Sequence, residues 1–159
     1  MDKVNIKFVK THNDALLPTK AHDGDNCFDL YAVEDTVIHP TQSFDQTLDG
    51  NPLTDIGYGI VPVGIKVGYI SEGYGFVLRP KSGLGFKYGL QPHLGEIDNG
   101  YRGDCGVKMY NFTSMPYEFK KGDKVAQIKI EKIYNTKIEW TDEVEEAQRG
   151  DAGFGSSGK

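Results

Sequence analysis

Asp98 and Tyr101 lie in a short stretch rich in turn-forming residues, Gly95 to Gly103, which also contains Arg102. Glycine costs about 1 kcal/mol in a helix interior relative to alanine, and an Asn-Gly pair such as Asn99-Gly100 favours a tight turn. The stretch is therefore predicted to be a hairpin tip between two short strands, residues 88–90 and 107–110. Such a tip would hold a carboxylate, a phenol and a guanidinium in fixed positions, which suits a small ligand.

A second polar stretch, residues 79–87, combines cations with a hydroxyl and two glycines. Glycine lets backbone N–H groups approach an anion closely, and lysine and serine add donors, so this stretch is a candidate phosphate cradle. It lacks the Gly-x-x-x-x-Gly-Lys-Ser/Thr order of a Walker A loop, and a basic turn is the commoner explanation of such a string. Both interpretations stay open on these residues alone.

Two polar residues interrupt apolar segments. Asp29 lies within residues 27–32, and Gln127 lies on the apolar side of residues 124–134. A polar residue in such a place is either exposed or hydrogen-bonded to something buried. For Asp29 taken alone, a turn or a strand edge is the simpler explanation.

The C-terminal tail, from residue 149 onward, is rich in glycine and serine. This composition predicts disorder in the free chain. Two residues favour a function nevertheless, because Arg149 could pair with a phosphate and Phe154 could lay its ring on a base. The tail is therefore a candidate for a segment that orders over a nucleotide.

The elements that must position these residues are predicted to be strands. Residues 4–8 alternate between apolar and polar side chains, as a half-buried strand does. Residues 58–79 contain three short apolar runs, each bounded by glycine or proline, and residues 124–134 form another strand. Short strands separated by frequent turns indicate an all-β sandwich or jelly roll. Between them we expect a long surface loop over residues 40–55 and, after them, two marginal helical turns at Asp142 to Gln148.

Composition limits the class of protein. At 159 residues, with 38% hydrophobic and 26% charged residues, the chain is expected to form one folded domain. A net charge of −5 argues against a general nucleic-acid binder. No apolar run approaches a membrane span or a signal peptide, so a cytoplasmic location is expected. Cys27, Cys105 and the four histidines show no metal-ligand spacing, and both cysteines are expected to be free thiols.

Five stretches, in this order and spacing, resemble the five motifs of the homotrimeric dUTPases, some of which are encoded by phages. Each alone is a weak signal, but five in register over most of the chain are specific. They are residues 27–32 (Cys-Phe-Asp-Leu-Tyr-Ala), 79–84 (Arg-Pro-Lys-Ser-Gly-Leu), 95–103 (Gly-Glu-Ile-Asp-Asn-Gly-Tyr-Arg-Gly), 122–127 (Gly-Asp-Lys-Val-Ala-Gln) and 149–158 (Arg-Gly-Asp-Ala-Gly-Phe-Gly-Ser-Ser-Gly).

The resemblance implies an all-β jelly-roll subunit over residues 1–147 and a flexible C-terminal lid over residues 148–159. It also implies a homotrimer whose active sites are shared between subunits. The implied reaction is hydrolysis of dUTP to dUMP and pyrophosphate with Mg²⁺, which limits uracil incorporation into DNA and supplies dUMP for thymidylate synthesis. No nucleic-acid or membrane partner is implied.

The resemblance assigns a role to each matching residue. Asp98 would orient and activate the attacking water, and Tyr101 would lie under the deoxyribose and exclude a 2′-hydroxyl. Asp29 would reach the metal only through water. The uracil edge would be bound by the backbone at Glu96, Ile97, Asp98 and Gly106. The phosphates would be held by Lys81, Ser82, Gly83 and Gln127, and the γ-phosphate by Arg149. Phe154 would stack on the uracil as the tail closes with Gly155 and Ser156.

Some positions depart from the family pattern, and two alternatives stay open. Lys81 stands where arginine is usual, which keeps the charge but loses the guanidinium fork. Cys27 stands where glycine is usual. A dCTP deaminase shares the fold but needs a glutamate at the position of Lys108, so deamination is disfavoured. A relative that captures a regulatory protein partner, as some phage members do, is the second alternative.

Overall fold

The computed structural model describes residues 3–48, 51–147 and 150. They form twelve strands and one short helix. In chain order these are β1 (Ile6–Lys10), β2 (Cys27–Tyr31), β3 (Thr36–Ile38), β4 (Gln42–Leu48), β5 (Asn51–Asp55), β6 (Gly57–Ile70), β7 (Tyr74–Arg79), α1 (Ser82–Tyr88), β8 (Leu90–Pro92), β9 (Glu96–Ile97), β10 (Asp104–Asn111), β11 (Tyr117–Phe119) and β12 (Lys124–Lys132).

Two four-stranded sheets carry the fold. One has the order β1-β6-β10-β8 and the other the order β2-β12-β7-β9. Two two-stranded sheets, β3 with β11 and β4 with β5, complete the fold. The core between the sheets is aliphatic, because alternate residues of each strand point inward. It includes Val61, Val63, Val67, Met109 and Ile128, all at most 2% exposed. The predicted all-β jelly-roll class is confirmed.

The apolar runs of residues 57–70 form one strand instead of several. Gly64, which the sequence suggested as a turn, has a φ of +64° inside β6. The pairing of β10 with β6 shifts register between Cys105 and Gly106, opposite this part of β6. The glycine therefore bends a long strand without ending it, because a local irregularity in the ladder absorbs the kink.

Two other predictions at the periphery are wrong. Residues 40–55 are not a long loop, because β4 and β5 pair antiparallel, with Gln42 opposite Asp55. The sequence did contain a hairpin signal, the Asp49-Gly50 pair between the two strands. The two helical turns expected from Asp142 do not form in the described residues 142–147. That segment makes no apolar face for packing, and so short a helix is marginal without one.

Residues 82–88 form the helix α1 in place of the basic turn favoured by the sequence. Lys81 is the residue that precedes the first turn of the helix. The helix ends at Gly89, which adopts a left-handed conformation (φ 64°) and whose N–H donates to the carbonyl of Gly85. Among the described residues no helix is long and apolar enough to cross a membrane.

The stretch containing Asp98 is a connection between the two sheets and not the tip of a simple hairpin. β9 pairs with β7, through Ile97 opposite Phe76, whereas β10 pairs with β6 and β8. We call residues 98–103 the connecting turn. The strand predicted before the turn also differs, since Tyr88 ends α1 and Leu90 begins β8. A local turn signal does not determine the strand with which each flank pairs.

Candidate active site

A pocket of about 250 Å³ opens where the connecting turn leaves β9 and reaches β10. Its inner wall is apolar. The rim of the pocket is formed by residues of β9, the connecting turn and β10, namely Glu96, Ile97, Asp98, Tyr101, Asp104, Cys105 and Gly106. The predicted base, the predicted sugar-binding ring and the predicted uracil-binding backbone thus line one cavity of a single chain.

Asp98 lies at the start of a tight turn, because the N–H of Tyr101 donates to the carbonyl of Asp98 at 3.0 Å. The side chain of Asp98 is exposed. Arg102 does not point its guanidinium at a ligand. It donates to the carbonyls of Asn99 at 2.6 Å and Tyr101 at 2.8 Å, and so it braces the backbone of the turn.

Tyr101 lies across the end of the connecting turn. Its hydroxyl donates to the carbonyl of Asp104 at 3.2 Å, and the residue is 45% exposed. Gly103 makes this arrangement possible, because a Cβ atom at position 103 would lie 2.3 Å from the tyrosine hydroxyl oxygen. Any larger residue there would displace the ring from this place.

Cys105 and Gly106 form the wall contributed by β10. Burial and the neighbouring Asp104 raise the pKa of the Cys105 thiol to about 11, so the thiol is neutral at physiological pH. Neither cysteine of the chain is in a disulfide, as expected. Gly106 is exposed, which leaves its backbone accessible at the pocket.

A second polar group is centred on Asp29 in the edge strand β2. Asp29 is only 6% exposed, and its two carboxylate oxygens accept from Lys81 at 2.5 Å and Lys124 at 2.7 Å. Burial alone would raise the pKa of Asp29, but the hydrogen bonds from Lys124 and Lys81 outweigh it and hold the pKa below the usual range. We call these three side chains the lysine–aspartate triad.

Gln127 and the start of α1 adjoin this triad. Gln127 lies opposite both Asp29 and Arg79 in the sheet, and its side-chain amide donates to the carbonyl of Pro80 at 2.8 Å. It thereby fixes the backbone just before Lys81. Ser82 and Gly83, the first residues of α1, are exposed. Their backbone and the hydroxyl are open to a ligand.

The structure therefore divides the predicted site into two groups. Asp29, Lys81, Ser82, Gly83 and Gln127 adjoin one another but do not line the pocket that contains Asp98. The remaining predicted residues, Arg149, Phe154, Gly155 and Ser156, lie outside the described residues.

Sequence reasoning missed three residues at the site: Lys124, Asn99 and Gly103. Lys124 lies inside the fourth motif, so its position there and its charge were usable signals of a role at the site. Asn99 was recognised only as a turn former, although its side chain bonds two carbonyls outside the turn. The contact between Gly103 and Tyr101 could not be inferred from spacing.

The donor set fits a metal ion only if the substrate supplies most of the ligands. Within the described part of the chain no group of three or more His, Cys, Asp or Glu side chains could hold a metal ion. Asp29 is the acid nearest the candidate phosphate residues, and both of its oxygens are already bonded to lysines. Magnesium takes six oxygens, so phosphate oxygens and water would have to supply at least four of them.

Known proteins resemble this chain over nearly its full length. The family model described as dUTPase matches residues 13–158. The deoxyuridine 5'-triphosphate nucleotidohydrolase of Alkaliphilus metalliredigens is 36% identical, with 97% of each chain covered. That of Kluyveromyces lactis is 37% identical, covering 98% of this chain and 95% of the relative.

Two solved phage structures share the fold. A Staphylococcus bacteriophage 80alpha dUTPase with dUpNHpp aligns with a TM-score of 0.78 at 23% identity, covering 98% of this chain and 99% of that one. A phage phi11 dUTPase described with a structural Mg(II) ion aligns with a TM-score of 0.71 at 21% identity, covering 89% and 99%. The family model and the full-length relatives, together with this fold, establish that the chain belongs to the dUTPase family.

Proposed function

We propose that this chain hydrolyses dUTP to dUMP and pyrophosphate, with the base and sugar bound in the pocket below the connecting turn. The observation that carries the proposal is the convergence of Asp98, Tyr101 and Gly106 on one cavity in a chain of the dUTPase family. A location in the cytoplasm agrees with such a role in nucleotide metabolism.

Asp98 acts on the attacking water. Its carboxylate is exposed at the rim of the pocket, where it can accept a hydrogen bond from a water that faces the α-phosphorus. A water held by a fixed carboxylate loses less freedom on the way to the transition state, and positioning of this kind can contribute several kcal/mol. The proton of the water passes to Asp98 as the new P–O bond forms and the bond to pyrophosphate breaks.

Tyr101 and the β10 backbone select the nucleoside. The tyrosine hydroxyl is bonded to the carbonyl of Asp104, and Gly103 leaves room for the ring. In the proposed complex this ring lies under the deoxyribose and excludes a ribose 2′-hydroxyl. The backbone at Glu96, Ile97, Asp98 and Gly106 binds the uracil edge. A narrow cavity lined by backbone groups also disfavours the extra methyl of thymine and the exocyclic amine of cytosine.

The triphosphate is bound by the second polar group. Lys81 exchanges Asp29 for a phosphate oxygen, while Lys124 keeps the charge of Asp29 neutralised. Ser82, Gly83 and Gln127 contribute further donors, and Arg149 takes the γ-phosphate. Phe154 stacks on the uracil as Gly155 and Ser156 close over the nucleotide.

The functional unit is a homotrimer with shared sites, and its substrate carries Mg²⁺. Sharing is supported because the phosphate-binding residues of one chain do not line the Asp98 pocket of that chain. Magnesium held by the triphosphate oxygens would neutralise the phosphate charge, and Asp29 would be the side chain that contacts it, through water.

Pyrophosphate release from dUTP, dTTP, dCTP and UTP tests the activity directly. We expect dUTP to be turned over far faster than the other three. Asp98→Asn should bind dUpNHpp normally and lower turnover by roughly 10²–10⁴-fold, the usual share of general-base catalysis. Asp35→Asn, the same change at an exposed carboxylate that does not line the pocket, serves as the matched control. Equal turnover of dCTP and dUTP, or full activity of Asp98→Asn, would overturn the proposal.

Subunit complementation tests site sharing. Asp98→Asn trimers and trimers that end at Gln148 should each be inactive. After the subunits are exchanged by mild denaturation and refolding, mixed trimers combine an intact Asp98 with an intact tail from another subunit. Recovery of activity is expected, and its absence at equal trimer concentration would contradict sharing.

A further inference from the structure

We propose that Asn99 is a positioning residue that fixes the Asp98 carboxylate by tying the connecting turn to the turn between β6 and β7. The inference rests on the proposed role of Asp98 and deepens it. Asn99 does not touch the substrate in this scheme. It acts through the backbone of its neighbour.

The tie consists of two hydrogen bonds from one amide group. The Asn99 Nδ2 atom donates to the carbonyl of Ser71 at 2.9 Å and to the carbonyl of Tyr74 at 2.8 Å. Because both acceptors are carbonyl oxygens, only the nitrogen of the amide can face them, and its two hydrogens match the two acceptors. Asn99 is half-buried, so water competes only weakly for these bonds.

The accepting turn is itself fixed to the sheets. The N–H of Ser71 donates to the carbonyl of Asn5 at 3.0 Å, and the N–H of Asn5 donates to the Ser71 hydroxyl at 3.0 Å. The N–H of Ile133 donates to the carbonyl of Gly73 at 2.7 Å. The β6–β7 turn is thus bonded to the segment before β1 and to the end of β12, and it is a rigid support.

The hydrogen bonds described at Tyr101 and Arg102 have a different effect. They run to Asp98, Asn99, Tyr101 and Asp104, within the connecting turn or at its end. They shape the turn without joining it to the start of β7 or to the β6–β7 turn. β9, which precedes Asp98, pairs with β7 over two residues, and the N–H of Leu78 extends this pairing by donating to the carbonyl of Gly95 at 2.9 Å. This support ends before Asp98. The amide of Asn99 therefore supplies a connection at the residue next to the base.

Removal of this connection should affect the chemical step more than binding. A misplacement of about 1 Å in a catalytic group can cost roughly 10²-fold in rate. Binding energy is spread over the pocket walls and the phosphate-binding group, and Asp98 is the one uracil-binding residue whose backbone adjoins Asn99. The predicted signature is therefore a fall in kcat with little change in affinity.

Two variants and one control separate the roles of Asn99. Asn99→Ala removes the amide, and Asn99→Leu keeps its approximate volume without donors. Both should lower kcat by roughly 10- to 100-fold and change the Kd for dUpNHpp by less than about twofold. Gly100→Ala is the matched control in the same turn, because a Cβ atom there would meet nothing within 4 Å. It should keep the wild-type kcat.

A double variant distinguishes positioning from general destabilisation. On an Asp98→Asn background, Asn99→Ala should lower the residual kcat no further, because the carboxylate that it positions is already absent. If Asp98→Asn itself is fully active, the proposed function fails. If Asp98→Asn is impaired but both Asn99 variants keep the wild-type kcat, or if Asn99→Ala costs the same on both backgrounds, only the positioning role is overturned.

Discussion

The lysine–aspartate triad makes a quantitative prediction for Lys124→Met. Methionine keeps much of the length of the lysine side chain but removes its charge. The Asp29 side chain is 8% exposed, and the Lys124 side chain is 43% exposed. The bond from Lys124 joins two charged groups, but the exposure of Lys124 and the retained bond from Lys81 limit what its loss costs the fold. We expect only a small fall in the free energy of unfolding.

We expect Lys124→Met to weaken substrate binding more than it lowers the stability of the fold. In the proposed function Lys81 leaves Asp29 to bind a phosphate oxygen. Without Lys124, this exchange would leave a buried carboxylate unpaired. Full burial of an unpaired charge costs about 3–5 kcal/mol, and access of water to the open site reduces this to roughly 1–2 kcal/mol, or 5- to 30-fold in affinity.

The assay combines calorimetry with dUpNHpp, steady-state pyrophosphate release and urea unfolding at one fixed protein concentration. The concentration is fixed because subunit association adds to the apparent stability. Lys124→Arg keeps the charge and serves as the control, with nearly wild-type affinity. In Asp29→Asn, where there is no charge to neutralise, the added change Lys124→Met should have little further effect. An unchanged affinity of Lys124→Met for dUpNHpp would refute the exchange of partners by Lys81.

Three further predictions follow from the site. Gly103→Ala should displace the Tyr101 ring and lower the ratio of dUTP to UTP turnover by roughly tenfold, measured by pyrophosphate release with Gly100→Ala as control. Because the pKa of Asp29 is lowered in the folded state, its stabilising contribution is present above the unfolded pKa of about 3.9 and is lost as pH falls through the folded pKa. The difference in unfolding free energy between the wild type and Asp29→Asn should therefore shrink below about pH 4. Cys105 has a pKa of about 11 against an ordinary 9.0, so in a Cys27→Ser chain its alkylation by iodoacetamide near neutral pH should be roughly 100-fold slower in the native state than in urea.

Each of these has a clear opposite result. An unchanged dUTP preference in Gly103→Ala would mean that another residue excludes the ribose. A wild-type advantage over Asp29→Asn that persists at the lowest pH would mean that the contribution of Asp29 does not depend on its charge. Native alkylation of Cys105 as fast as in urea would mean that the thiol is not held in its neutral form.

Much of the candidate site was predictable because its signals are local. The period-two pattern of residues 4–8 and 124–134 identified β1 and β12, and the Asn99-Gly100 pair identified a turn. The order and spacing of the motifs identified the family, since each motif is a short run whose residue types are set by what it must bind. The all-β class followed from the same short apolar runs.

The partners of these local elements were decided only by the tertiary structure. Alternation gives a strand its inner and outer faces but does not determine which strand lies beside it, so the pairing of β9 with β7 and of β4 with β5 was missed. The ion pair between Lys124 and Asp29 and the tie from Asn99 to Ser71 likewise join residues that only folding brings together. A short sequence pattern records the chemistry of a residue, whereas the packing of the two sheets determines what that residue contacts.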